Sequence, residues 1–186
     1  SRKAIEIAKC LEGEAGRQCY FTEIVSLAGY YAGIGKDDEA IEILEKAKEL
    51  DKNKDRVYVC LLHNLALSYN NLGKFQKGLE FSEQAVKLSE ELAIPDTSIH
   101  LAALEGLLWA LCRTNSYDKA IPYINKGYDL IKYNANTKLF NIELDKVVRW
   151  QRISCDAFFL NGYSEEAIKI MTQTLPLLSN FGGSDN

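Results

Sequence analysis

Cys60 and His63 are the first residues to weigh. A thiol and an imidazole three positions apart share one face of a helix. Such a pair is the raw material of a cysteine nucleophile or of a metal site. A nucleophile also needs an orienting third group and a place for an oxyanion, and neither is evident in the sequence. A metal needs more ligands, and His100 is the only other histidine. The five cysteines, Cys10, Cys19, Cys60, Cys112 and Cys155, stand singly, with no Cys-x-x-Cys. That pattern fits buried thiols in a reducing compartment better than a disulfide framework. The run Gly33-Ile34-Gly35-Lys36 resembles part of a phosphate loop. It lacks the Gly-x4-Gly-Lys-Ser/Thr spacing, Asp37 stands where a hydroxyl is needed, and no strand precedes it. No enzyme activity, cofactor or metal is therefore expected. Arg149 and Arg152 remain, three apart on one helix face, able to hold a ligand carboxylate together or to pair with Asp145 and Asp156.

The elements that would carry these residues are helices. Only three prolines occur in 186 residues, and apolar residues recur at three and four rather than at two. Over 38–50 the buried set is expected to be Ala40, Ile41, Leu44, Ala47 and Leu50. Asp37 or Asp38 is the expected cap, and Glu42 and Lys46 form a favourable outer pair. Nine helices are expected: a lone one over about 2–12, then four hairpins. The first helices of the hairpins cover roughly 17–34, 55–72, 98–114 and 138–161. The second helices cover roughly 38–51, 75–93, 117–133 and 164–179. Gly35, Gly73, Asn115 and Gly162 mark the turns. Pro95 ends the helix before it, and Pro122 and Pro176 predict a kink or an early end inside their helices.

The hairpins repeat. Leu27-Ala28-x-x-Tyr31 returns 38 residues later as Leu65-Ala66-x-x-Tyr69, Gly35 as Gly73, Ala40 as Gly78 and Ala47 as Ala85. A period in this range means stacked helical hairpins. The third copy carries Leu104, Leu107, Leu108, Leu111, Asn115, Tyr117, Ala120, Ile124 and Gly127. The fourth carries Cys155, Phe158, Gly162, Ala167 and Met171. This pattern resembles the tetratricopeptide repeat, a right-handed α-solenoid in which each hairpin has apolar faces it cannot bury alone. The all-α chain then divides into a half repeat at 1–16, repeats at about 17–54, 55–96, 97–136 and 137–180, and a tail at 181–186. Gly29 and Gly33, one turn apart, are read as points of close helix approach, or alternatively as a flat floor for a ligand backbone.

The resemblance implies that first helices line a concave face that binds a peptide or protein segment. Mapped residue by residue, that face offers His63, Asn64, Leu67 and Asn70 in the second repeat. It offers Glu105, Trp109 and Arg113 in the third, and Arg149, Arg152 and Asp156 in the fourth. Asn70 can donate to and accept from a peptide backbone, or it can sit solvated near a helix end. Trp109 can be a binding hot spot, or it can pack against the next hairpin. The clamp-like positions of the first repeat hold Val25 and Gly29, which disfavours an acidic chaperone tail. The repeat spacing widens from 38 to 42 to 47 residues, and this divergence resembles bacterial regulators, including those of the intracellular peptide-pheromone-receptor type. A ligand-induced change of superhelix pitch, transmitted to an effector domain, is the mechanism this implies. The alternative is a purely structural module for homodimerisation or assembly.

Composition bounds the partners. The chain is 47% hydrophobic and 26% charged, with 22 basic against 26 acidic residues and a net charge of −4. It has no Lys/Arg run, so nucleic acid is not an expected partner. No stretch reaches the roughly 18 apolar residues of a membrane span, and no signal peptide is visible, which points to the cytoplasm. Helical pattern begins at once after Ser1, with Ala4, Ile7, Ala8 and Leu11. The chain is thus expected to be a piece of a longer protein, cut within a repeat.

Overall fold

The computed structural model describes residues 13–51, 53–92, 97–137, 144–160 and 162–181. Among these it holds eight α-helices, one 3-10 turn and no strand. They are α1 (Gly13–Gly33), α2 (Asp37–Leu50), α3 (Arg56–Asn71), α4 (Phe75–Glu91), α5 (Thr97–Arg113), the 3-10 turn Tyr117–Lys119, α6 (Ala120–Thr137), α7 (Leu144–Leu160) and α8 (Ser164–Phe181). The helix expected at 2–12, Pro95 and the tail lie outside the described residues. The chain forms two compact units, 1–94 and 95–186. In the first, α1 pairs with α2 and α3 with α4, and α3 packs on both α1 and α2. In the second, α5 pairs with α6 and α7 with α8, and α7 packs on both α5 and α6.

All four hairpin turns are built the same way. Gly35, Gly73, Asn115 and Gly162 adopt φ of 76°, 72°, 53° and 79°. In each, the turn residue's N–H reaches the carbonyl three positions back, and the next N–H reaches the carbonyl five back. Lys36 thus donates to Tyr31 O (2.8 Å), Lys74 to Tyr69 O (2.9 Å), Ser116 to Leu111 O (2.9 Å) and Tyr163 to Phe158 O (2.9 Å). This double bond satisfies the last carbonyls of the helix and reverses the chain. Five residues after each turn residue comes a small one, Ala40, Gly78, Ala120 or Ala167, and each of these is buried.

The small positions let the helices close up. A Cβ at Gly78 would fall 1.9 Å from Asn70 Oδ1, and one at Gly127 would fall 2.0 Å from Cζ2 of Trp150. Ala28, Ala40, Ala66 and Ala85 are each 0% exposed. Tyr69 links the first two hairpins. Its ring stacks on Phe81 at 5.5 Å, and its hydroxyl donates to Glu45 Oε1 of α2 at 3.3 Å.

Several local expectations are corrected. The buried stripe of α2 runs Asp37, Ala40, Leu44, Ala47 and on to Asp51, so Leu50 falls out of phase and is 64% exposed. Asp37 does not cap. Lys36 holds the cap position without a side-chain capping hydrogen bond, and buried Asp37 instead accepts from Asn71 Nδ2 at 2.9 Å. Pro122 does not end α6, because it sits in the first turn, where backbone N–H groups have no intrahelical partner anyway. Helix α8 continues through Pro176 to Phe181, so one lost backbone bond does not stop it. Gly29 and Gly33 are not points of close approach. Both are exposed, nothing lies within 4 Å of a Cβ at Gly33, and only Asn64 Nδ2, at 3.7 Å, meets one at Gly29. The Glu42–Lys46 pair forms as expected, at 2.5 Å.

Candidate functional site

In the first unit the candidates sit on α3, whose start is fixed by Asp55. The Asp55 carboxylate caps the helix by accepting from Val57 N (2.9 Å) and Tyr58 N (3.2 Å). The same carboxylate pairs with Arg17 of α1. Arg17 also binds Asp51 Oδ1 at 2.8 Å and Glu14 at 2.7 Å. Asp51 has no exposed side-chain surface, and burial pushes its carboxyl up despite the guanidinium. This clasp joins α1, the α2–α3 link and the head of α3. Further along α3, Asn64 donates to the Val25 carbonyl of α1 at 3.1 Å. His63, Asn64 and Leu67 are half-buried beside exposed Gly29. Asn70 is not on an open face. It is 2% exposed and turned against Gly78, with neither amide atom hydrogen-bonded. It serves hairpin packing and cannot receive a peptide without repacking.

In the second unit α5, the Asn115 turn and α7 enclose a cleft of about 460 Å³. Trp109, Cys112 and Arg113 come from α5, Asn115 and Tyr117 from the turn, and Ile153, Asp156 and Phe159 from α7. Helix α7 can hold its side of this cleft because Trp150, 0% exposed, is locked against Gly127 of α6. The Arg113 guanidinium lies 5.3 Å from the Trp109 ring centre. The Tyr117 hydroxyl donates to Asn115 Oδ1 at 3.3 Å. Phe159 is 69% exposed at the rim. The cleft therefore offers aromatic faces together with one cationic and one anionic side chain.

Family models of the tetratricopeptide repeat match residues 25–54 and 58–132. The chain is a tetratricopeptide-repeat protein. Its repeats are similar to response regulator aspartate phosphatase H of Bacillus subtilis (strain 168), with 36% identity over 107 residues. That match takes in 56% of this chain but only 28% of the relative, so the chain spans little more than a quarter of that protein's length. Among solved structures it resembles the nearly identical TPR-like repeats of a kinesin light chain from Podosopora anserina. The TM-score is 0.67 at 20% identity, covering 98% of this chain and 86% of that one. A point variant of the same protein gives 0.68 at 21%, covering 95% and 82%. At these identities the likeness shows the fold.

Within the tetratricopeptide frame the predicted residues other than buried Asn70 form three groups, with Arg152 apart. Trp109, Arg113 and Asp156 meet in the α5–α7 cleft. Glu105 and Arg149 are engaged with each other. Arg149 Nε lies 3.6 Å from Glu105, and its Nη2 lies 3.4 Å from Asp145. This is the pairing with neighbouring acids that the sequence left open. Burial pushes the Glu105 carboxyl up, against the pull of Arg149 and Arg152. Arg152 is exposed on α7, one turn before Asp156. His63, Asn64 and Leu67 form a separate half-buried group on α3.

The sequence reading did not select Asn115, Tyr117 or Ile153 for the site. Asn115 was legible only as a turn residue and Tyr117 only as a repeat aromatic. That the turn itself walls a cleft was not readable from spacing. Burial, with Asp156 adding to it, pushes the Cys112 thiol up to about 11, so it stays protonated and a poor nucleophile at neutral pH. Among the described residues no group of three or more His, Cys, Asp or Glu is placed to hold a metal ion. No described helix is long and apolar enough to cross a membrane.

Proposed function

We propose that this chain is the ligand-sensing or interaction module of a larger, cytoplasmic regulatory protein of bacterial type, and that it binds a peptide or protein segment non-covalently. The α5–α7 cleft carries the reading. It gathers Trp109, Arg113 and Asp156 with Phe159 at its rim. Aromatic and arginine side chains are the usual anchors of such contacts. The regulatory setting is supported by the likeness to a protein named for a response regulator. Glu105, Arg149 and Arg152 extend the contact set of the second unit, and His63, Asn64 and Leu67 on α3 are a separate candidate set of the first. In this reading the module has no catalytic role, needs no cofactor and does not bind nucleic acid. The exposed apolar residues of α8 favour a second reading, in which the repeats build an assembly or a homodimer.

The test is selection of binding peptides from a displayed library on the whole chain, followed by calorimetry with one selected peptide. Trp109→Ala and Asp156→Ala should each weaken binding at least tenfold, with far-ultraviolet circular dichroism unchanged. Tenfold corresponds to about 1.4 kcal/mol, the threshold region for a hot spot. Unchanged affinity in both variants would remove the cleft from the binding surface.

A further inference from the structure

We infer that the α5–α7 cleft takes a side-chain guanidinium, so that the peptide it binds carries an arginine seated between Asp156 and Phe159. The inference deepens the proposed function and rests on the cleft being the binding surface. Two charged side chains line the cleft, Arg113 and Asp156, and they differ in what they already hold. The Arg113 guanidinium lies 5.3 Å from the centre of the Trp109 ring, so this cation has its aromatic face. The Asp156 carboxylate has neither a hydrogen bond nor an ion pair with any described residue. The other cations of α7 are turned to different acids. Arg149 pairs with Glu105 and Asp145, and Arg152 pulls on Glu105.

The surroundings of that carboxylate favour a flat cation. Phe159 follows Asp156 by three positions, so the two share a face of α7, and the Phe159 ring is 69% exposed. Trp109 and Tyr117 line the same cleft from α5 and the turn. A carboxylate beside an open ring offers an ion pair and a cation–π contact together, and partial exclusion of water strengthens both. The field of Asp156 is felt inside the cleft, where it adds to burial in pushing up the Cys112 thiol. A guanidinium fits better than an ammonium, because it is planar, weakly hydrated, and can stack on a ring while donating two N–H groups to one carboxylate. An anionic group fits poorly, since it would meet Asp156 unneutralised and find Arg113 already on Trp109. About 460 Å³ is room for one such side chain and its flanking backbone.

The chain has two tryptophans, and they divide the readout. Trp109 lines the cleft, whereas Trp150 is 0% exposed against Gly127. The probes are N-acetyl-arginine amide, its neutral counterpart N-acetyl-citrulline amide, N-acetyl-glutamate amide and glycine amide, each added to the whole chain with nitrogen-15 in its indoles. The arginine probe should move the Trp109 indole signal saturably and leave Trp150 still. The citrulline probe should bind at least fivefold more weakly. Asp156→Asn, at an exposed site, should bring these two probes within twofold of each other with circular dichroism unchanged. Equal affinity for arginine and citrulline in the unaltered chain overturns the inference and leaves the cleft standing as a binding surface, as does a preference for arginine that survives Asp156→Asn. Tighter binding of the glutamate probe also overturns it, and so does tighter binding of glycine amide, which would make a peptide N-terminus the occupant. A Trp109 signal that none of the four probes moves at tens of millimolar overturns the cleft and the inference together.

Discussion

Gly127→Ala and Gly29→Ala are the same substitution in two helices, and the structure gives them opposite signs. At Gly127 the added methyl would fall 2.0 Å from Cζ2 and 2.3 Å from Cε2 of Trp150, where ordinary contact begins at 3.4 Å. The indole is 0% exposed and cannot swing into solvent, so the helices must part by more than an ångström. Overpacking of this kind costs about 1–3 kcal/mol, and a locked ring puts it near the upper end. Alanine returns about 1 kcal/mol of helix propensity, leaving a net loss of about 2 kcal/mol. For a chain of this size that lowers Tm by about 4–8 °C. At Gly29 the methyl meets only Asn64 Nδ2 at 3.7 Å, so the propensity gain stands alone at about 1 kcal/mol, or a Tm about 2–4 °C higher. Thermal and urea melts followed by circular dichroism measure both. Trp150→Phe in the Gly127→Ala background should recover part of the loss, because the clashing atoms belong to the indole's outer ring. If Gly127→Ala proves neutral or stabilising, the claim that Gly127 exists to seat Trp150 is wrong.

Arg17→Met strands Asp51, which has no exposed side-chain surface, and should cost about 2–3 kcal/mol at pH 7, below the usual range for a broken buried pair because Arg17 is partly exposed. The variant's folded state binds a proton at Asp51 more readily than its unfolded state, so its deficit in urea melts should shrink as pH falls to 4, and Asp51→Asn should relieve it at pH 7. A pH-independent deficit would show that Asp51 is not the group left exposed to the change. Glu105 also holds its proton more tightly folded than unfolded, because burial outweighs Arg149 and Arg152. Its contribution is therefore fully present below the ordinary carboxyl value of 4.5 and is lost as pH rises through the raised value. Relative to Glu105→Gln, the wild-type chain should lose stability over that rise, and an opposite slope in paired melts would mean that the arginines dominate.

The repeat was legible because its determinants are local. Four turn residues with a small residue five positions later fix the hairpins, and both signals are residue types that need no partner to be read. Which residues share a helix face was legible, which is why Trp109, Arg113 and Asp156, chosen as candidates, meet in one cleft. Errors arose where a helix is flanked on two sides, so that periodicity alone cannot say which neighbour closes in. Asn70 has the right type for a binding surface, but Gly78 opposite it leaves a gap that its side chain fills. Gly29 and Gly33 suggested close approach, yet the approach occurs at Gly78 and Gly127, where the partners are Asn70 and Trp150. Asp37 read as a cap and Asp51 as the end of its helix, because an ionic side chain is not expected on a buried stripe. Their partners, Asn71 and Arg17, are each 34 residues away, beyond any local pattern.

Each of the four corners closes its hydrogen bonds within six consecutive residues. Such a corner costs little loop entropy to form, and it forms without help from the other three. The first ordered species along this polypeptide should then be a bent pair of helices at any one of four places, from which order spreads to the other pair of the same unit. A lesion in one corner would delay that start locally while the remaining three still offer a beginning.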